Sequence, residues 1–358
     1  MRFAVVGCGV IGDLHSKTIK SLPDTELAVV VDEVADRAAA YGERFGVESS
    51  SAYDEVLRRP DIDTVAVCVP SGLHTELGVA ALKAGKNVII EKPLDVTPEA
   101  ADAIIAASEE SDRVATVISQ HRFDPASQVV AEALRQEKFG RITSGSADIA
   151  WWRSQGYYDS GDWRGTWKLD GGGALMNQGV HSVDLLTWFL GQPVEVFAWT
   201  DALAHERIEV EDTAVATIRF ESGALGTVHG TTAAYPGLTA RIQVLGAQGS
   251  AVIENDKLTY FHSAVKGADA PAYGAGAGDN QAADVLPGEV AGGVSASADP
   301  KALSDAHTIQ YRDFLDAVAQ GRDPLVTVRQ AARTFDVIWA IYASARSGAP
   351  VRITPRKA

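Results

Sequence analysis

The sequence predicts an α/β N-terminal domain with a doubly wound parallel sheet, followed by an α+β C-terminal domain with an open antiparallel sheet. Three observations carry this. The first 120 or so residues alternate short apolar runs with helix-like stretches, the pattern of strands covered on both faces by helices. Beyond about His121 strand-like segments follow one another, several of them separated by Gly-containing turns. The 358 residues, at roughly 150 per domain, suit two domains with ample core.

Met1 to Val6 (MRFAVV) reads as a strand that breaks into GCGVIGDLH, then helix to Ser21, then a second strand from Glu26 to Val31, a β-α-β unit. The alternation continues with helix 36–45, a weak strand 47–50, strand 64–69 (TVAVCV), helix 74–84, strand 87–90 and a sixth strand 114–118. In the second half, residues 141–152, 194–203, 213–220, 224–232, 241–245 and 250–254 read as strands, with turns at Glu221-Ser222-Gly223 and Gly246-Ala247-Gln248-Gly249. Residues 267–299, rich in Ala, Gly, Asp and Pro, read as a long loop. Helices are expected over 307–319 and 328–346, the second closed by Gly348 and Pro350. The boundary is placed at 121, with 1–121 as the first domain and 122–358 as the second, its C-terminal helices either staying in it or packing back on the first. No internal repeat is visible.

Composition narrows the function. With 32 Lys+Arg against 47 Asp+Glu the net charge is −15, and no basic block interrupts the acidic background. A nucleic-acid or anionic-membrane partner is therefore disfavoured. No apolar run is long enough to span a bilayer. Cys8 and Cys68 are too few for a disulfide framework or a zinc cluster. The chain opens on a strand pattern without a basic, apolar leader, so the expected address is the cytoplasm.

Gly7, Gly9 and Gly12 form G-x-G-x-x-G, with Val10 and Ile11 between, at the junction of the first strand and first helix. Missing side chains there allow backbone N–H groups to approach a pyrophosphate, and the helix N-terminus favours the anion. Asp32 ends the second strand 20 residues after Gly12. A carboxylate at that place accepts from both adenosine ribose hydroxyls and repels a 2′-phosphate, and Glu33 adds to the repulsion. The expected cofactor is NAD; Arg37 works against phosphate exclusion.

Two further constellations carry chemistry. Val69-Pro70-Ser71-Gly72-Leu73-His74 and Glu91-Lys92-Pro93 follow the fourth and fifth strands, at the carboxyl ends where an open α/β sheet binds its ligand. Pro93 fixes the local geometry, through a cis bond if it adopts one, and aims Lys92. Taken alone, Lys92 reads as a surface charge and His74 as a helix N-terminal residue with no chemical role. In the second half, Asp170-Gly171-Gly172-Gly173 leads into a helix that puts Asn177, His181 and Asp184 on one face at i, i+4 and i+7. His181 is the site candidate there, and Asp184 a local anchor.

With these motifs together the sequence resembles the Gfo/Idh/MocA family of sugar and cyclitol oxidoreductases. The matching stretches are GCGVIGDLH, VCVPSGLH, GKNVIIEKPL, DWRGTWKLDGGGALMNQGVHSVDLL and the C-terminal FLDAVAQGRDP and AIYASARSG. The resemblance implies a dinucleotide-binding Rossmann first domain, an open antiparallel sheet in the second, a substrate cleft between them, and dimers or tetramers built on the sheet face. It implies that Lys92 is the catalytic lysine and His181 the catalytic histidine, with Pro70, His74 and Glu91 lining the nicotinamide side; Gln120 is counted with the cofactor set. Asn177 departs from the inositol-dehydrogenase pattern, which carries an Asp. An amide takes up no proton at neutral pH, so Asn177 is expected to orient substrate or His181.

Removing a hydride from a secondary alcohol leaves a carbonyl only if the hydroxyl proton departs too, which calls for a base and a cation beside the oxygen. Lys92 and His181 supply both, and which takes the proton first stays open. No metal is expected, because neither cysteine nor any histidine cluster has ligand spacing. Arg122, Arg153, Tyr157, Tyr158, Trp163, Arg164 and Gln178 are the candidate substrate contacts, offering guanidinium donors, hydroxyls, an amide and flat faces suited to a polyhydroxy ring. Trp151 and Trp152 read as core or interface residues, and His307 either reaches the cleft or caps a helix. The expected enzyme is an NAD-dependent dehydrogenase of a sugar, cyclitol or sugar derivative, working as a homodimer or homotetramer. A cofactor-recycling sugar-modifying enzyme and a non-catalytic NAD/sugar sensor are the alternatives.

Overall fold

The computed structural model describes residues 1–264, 280–287 and 304–356. Most of the 267–299 loop expected from composition lies outside the described residues. In chain order the elements are β1 (Arg2–Val6), α1 (Val10–Ser21), β2 (Glu26–Val31), α2 (Ala35–Phe45), β3 (Glu48–Ser50), α3 (Tyr53–Leu57), β4 (Thr64–Val67), α4 (His74–Lys83), β5 (Asn87–Ile90), α5 (Pro98–Glu109), β6 (Ala115–Val117), α6 (Pro125–Arg135) and β7 (Ile142–Ala150). Then come α7 (Gln155–Tyr158), a π-helix (Ala174–Gly179) continuing into α8 (Val180–Leu190), β8 (Pro193–Asp201), β9 (Thr213–Phe220), β10 (Leu225–Thr231), β11 (Ala240–Gly246), β12 (Gly249–Glu254), β13 (Lys257–Ser263), α9 (Ala282–Val285), α10 (Ser304–Gln320), α11 (Val328–Ser347) and β14 (Val351–Arg352).

The chain divides into two compact units: residues 1–120 with 161–172 and 301–335, and residues 121–160 with 173–300 and 336–358. Segment 161–172 belongs with the first unit, where the sequence reading places it in the second, and 301–335 packs back on the first unit, one of the two arrangements left open for the C-terminal helices. The first unit holds a six-stranded sheet of order β3-β2-β1-β4-β5-β6, all parallel. Its inner strands are buried almost throughout, which is why they read as continuous apolar runs. Phe3, Val5, Val30, Ala66 and Ile89 form its core with Tyr311 and Phe314 of α10.

The second unit holds an eight-stranded sheet of order β13-β12-β11-β7-β10-β9-β8-β14. Its neighbours are antiparallel except β7 and β10, which run parallel, so the sheet is predominantly antiparallel, as expected. Strict alternation in β9 buries Ala214, Ala216, Ile218 and Phe220 and turns Val215, Thr217 and Arg219 outward. Helix α8 packs on β7 and β11. No helix among the described residues is long and apolar enough to cross a membrane.

Candidate functional site

In the first unit the turn after β1 is shaped by what it cannot hold. Gly7 has φ +101°, and a Cβ on it would stand 2.3 Å from the Cys68 carbonyl oxygen; one on Gly12 would stand 1.9 Å from the Gly7 oxygen. A Cβ on Gly9, by contrast, meets nothing within 4 Å, and Val10 is 72% exposed, so the turn's outer edge is open backbone. Ile11 packs at the margin of the core. Asp32 is buried at the end of β2, where its carboxylate accepts from the Cys8 N–H at 2.9 Å and the Val34 N–H at 3.0 Å. The Arg37 guanidinium reaches both its oxygens at 3.3 Å, while Glu33 is exposed beside it. An open glycine edge at the start of α1 and a carboxylate at the end of β2 fit a dinucleotide: the turn would take the pyrophosphate and Asp32 the adenosine ribose.

The carboxyl ends of β4 and β5 carry Pro70, His74, Glu91 and Lys92. The Lys92–Pro93 peptide is cis. His74 is expected to line the nicotinamide side, but its Nδ1 lies 2.7 Å from the Pro93 oxygen and its Nε2 3.0 Å from the Val69 oxygen. Both nitrogens face backbone carbonyls, of which the neutral ring donates to one, and burial pushes its pKa below the usual value. Glu91 is likewise 5% exposed. It accepts from His15 Nε2 at 2.8 Å and from the Lys92 N–H at 3.0 Å, with His307 Nε2 at 3.6 Å. His15 Nδ1 in turn accepts from the Tyr311 hydroxyl at 2.7 Å. Burial raises the Glu91 carboxyl, but the His15 hydrogen bond and the neighbouring His307 ring outweigh it and hold it well below the usual range; burial lowers the pKa of His15. His74 and Glu91 are therefore internal supports of Lys92's neighbours. Gln120 is also buried, and His307 belongs to this interior cluster instead of capping a helix. Trp163 and Arg164 lie in the same unit, with the guanidinium stacked 4.4 Å from the indole centre.

In the second unit the glycine run leads into the π-helix. A Cβ on Gly173 would stand 2.1 Å from the Glu211 oxygen, so this close approach requires glycine. The buried Glu211 carboxylate gathers the entry, accepting from the Gly173 N–H at 3.1 Å, the Leu175 N–H at 2.9 Å and the Tyr342 hydroxyl at 2.9 Å. Burial pushes its pKa up to about 7. Because residues 174–179 follow i→i+5 geometry, Asn177, His181 and Asp184 do not share the single polar stripe that α-helical spacing predicts. Asp184 turns inward to Arg122, whose Nε and Nη2 donate to it at 2.7 Å each beneath Trp188. Arg122, expected as a substrate contact, is 3% exposed and structural: the guanidinium is neutralised inside the unit. Tyr158 is corrected in the same way, since it is buried with its hydroxyl 2.9 Å from Thr232 Oγ1.

Around the π-helix, Gln178 Nε2 donates to the Tyr157 hydroxyl at 2.8 Å and to Asn177 Oδ1 at 3.1 Å. The Arg153 guanidinium lies 5.5 Å from both the Trp151 and Tyr157 ring centres. Asn177, Tyr157 and Arg153 are partly exposed and Gln178 is buried, and together these groups have the chemistry to bind hydroxyls. His181 is partly exposed in the first turn of α8, its ring edge-on to His121 at 5.0 Å between centres. The sequence reading missed His15, Tyr311, Glu211, Tyr342 and the cluster of His121, Asp124 and Asp256. Two clusters among the described residues bring three nitrogen or oxygen donors within 4.8 Å, His15/Glu91/His307 and His121/Asp124/Asp256. In each, hydrogen bonds and ion pairs within the cluster account for the closeness.

Comparison with known proteins agrees with this layout. Residues 1–119 match the model of an oxidoreductase family with an NAD-binding Rossmann fold, and residues 127–252 match the Gfo/Idh/MocA C-terminal domain. The chain is 31% identical over 275 residues to the myo-inositol 2-dehydrogenase of Thermotoga maritima, covering 72% of this chain and 77% of that one. It is 27% identical to the NAD(+)-linked scyllo-inositol 2-dehydrogenase of Bacillus subtilis, over 100% of this chain and 98% of that one. The WlbA dehydrogenase of Bordetella pertussis, solved with NADH and UDP-GlcNAcA, superposes with a TM-score of 0.85 at 29% identity, covering 99% and 98% of the two chains. The first unit is an NAD-binding Rossmann domain, and the chain belongs to the Gfo/Idh/MocA oxidoreductase family.

Proposed function

We propose that this chain is an NAD-dependent dehydrogenase or reductase acting on a secondary alcohol of a sugar, cyclitol or sugar derivative, with Lys92 and His181 handling the hydroxyl proton. What carries the reading is that a chain of this family retains both side chains the chemistry needs, Lys92 directly after β5 and His181 in the first turn of α8. Bound NAD supplies the hydride acceptor. The protein's share is the proton: an imidazole ordinarily titrates near 6.5 and an amine near 10.4, so His181 is the natural base and Lys92 the cation that polarises the oxygen. Asn177, with no proton to exchange, orients the substrate together with Gln178, Tyr157 and Arg153. Nucleotide-linked sugars belong in the substrate class, because one similar dehydrogenase was solved with UDP-GlcNAcA.

We further read the outward face of β8, β9 and β10 as the surface that builds a homo-oligomer, since Trp199 (65% exposed), Val215 and Leu225 lie open on it. The test of the activity is a screen of free and nucleotide-linked sugars and inositols with NAD and NADP, repeated with Lys92→Ala on the best substrate. A Lys92→Ala enzyme that turns over at the parent rate overturns the mechanism. NAD binding without hydride transfer across the whole panel favours the sensor instead.

A further inference from the structure

His121 has no part in the reading above, yet its surroundings are elaborate. Its Nδ1 lies 2.7 Å from Asp124 Oδ2 and 3.2 Å from Asp256 Oδ1. The two carboxylates arrive from different elements: Asp124 is the residue before α6, and Asp256 sits in the β12–β13 turn. The ring is 13% exposed and meets the His181 ring edge-on, with centres 5.0 Å apart and planes at 70°. Burial by itself lowers the pKa of His121, but Asp256 and Asp124 outweigh it and carry it up to about 10, so the ring is an imidazolium.

We propose that His121 is a positioning residue for His181: two carboxylates hold its ring edge-on against the His181 imidazole, and this contact sets the orientation of that imidazole and the charge it faces. The inference rests on the reading of His181 as a proton-handling group. A fixed cation at one edge disfavours a second positive charge on its neighbour and so favours the proton-accepting form of His181. Asp124 and Asp256 limit that effect, so each member of the cluster pulls on His181 with a known sign.

The other charged groups on elements packed against α8 mostly lie beside a partner. Asp184 of α8 holds Arg122. Glu132 and Arg135 of α6 hold each other. Arg241 of β11 lies 3.3 Å from Glu254 of β12, and Asp148 of β7 lies 3.7 Å from His229 of β10.

The test is an NMR titration of the histidine side chains in the full-length protein without substrate. There are 8 histidines, and His181→Ala assigns the resonance. His121→Gln removes a positive charge and moves the His181 titration to higher pH. Asp256→Asn removes a negative charge and moves it to lower pH; Asn suits the left-handed backbone there, at φ 66°. Each displacement is expected to be about half a pH unit or more. The pH profile of turnover in each variant moves in the same direction as its titration. Opposite displacements support the inference, since a merely structural role would not reverse sign between the two variants. Displacements of one sign, or none, in variants that fold overturn it. Parent turnover in His181→Ala overturns the underlying assignment of His181, whatever the titrations show.

Discussion

Replacing Asp184 with alanine strands the Arg122 guanidinium inside the second unit. Both side chains are 4% exposed, and the pair is bidentate, with Nε and Nη2 each 2.7 Å from a carboxylate oxygen and the cation 5.4 Å from the Trp188 ring centre. Water cannot replace the lost partner at that depth, so the penalty is the desolvation of an unpaired charge. Measured examples put this at about 3–5 kcal/mol. Replacing both residues with apolar ones of similar volume, Arg122→Met with Asp184→Leu, removes the stranded charge and is expected to recover most of the loss. Urea unfolding followed by circular dichroism measures both, and NAD affinity, set in the first unit, serves as the control. The reasoning fails if Arg122→Ala costs less than about 1 kcal/mol while raising the KM for the sugar about tenfold, because that is the signature of a ligand contact.

Three further expectations follow from the same geometry. Asp32→Ser removes the carboxylate that engages Arg37 and repels a 2′-phosphate, so the NAD/NADP ratio of kcat/KM should fall by about tenfold or more, roughly 1.4 kcal/mol; an unchanged ratio refutes the role given to Asp32. Glu211 has a folded pKa of about 7, above its ordinary value of 4.5, so its stabilising contribution is complete below the lower figure and is lost as pH rises through the upper one. The loss amounts to about 3 kcal/mol, and Glu211→Gln should flatten the fall in unfolding free energy between these pH values; equal slopes in parent and variant contradict it. Trp199→Glu puts a charge on the open face of β8 and should reduce the mass seen by light scattering if that face builds the oligomer, whereas an unaltered mass places the interface elsewhere.

What the sequence showed and what it concealed divide by the range of the interactions. The G-x-G-x-x-G turn and Asp32 are legible because the features that define them lie within one β-α-β unit, and β2, β5 and β9 fall at the residues expected. Strand β13 escaped although its signal was local: Asn255 and Asp256, both at positive φ, make the tight turn that joins it to β12. Helix α5 had one too, since Thr97 accepts from the Ala100 N–H ahead of Pro98 in the first turn. The inward turn of Asp184 was hidden because its partner is 62 residues away and because the π-helix alters the spacing on which the face was counted. The Tyr311 to His15 bond spans 296 residues, and no periodicity reports it.

The histidines show why residue type alone misleads in such a site. His15 and His74 flank the functional motifs in sequence, yet each has both ring nitrogens facing internal partners. Their effect converges on one residue. Glu91, fixed by His15 and through it by Tyr311 of α10, accepts the Lys92 N–H. Pro93, on the other side, offers its carbonyl to His74, which also engages Val69 after β4. The backbone carrying Lys92 is thus tied on both flanks to buried groups from α1, α4 and α10, and its position is settled before any substrate arrives. In the role proposed for Lys92, the conformational cost of holding its main chain is then met during folding, and only the side chain remains to be ordered. The groups that look most reactive in the first unit therefore contribute by fixing the main chain at Lys92.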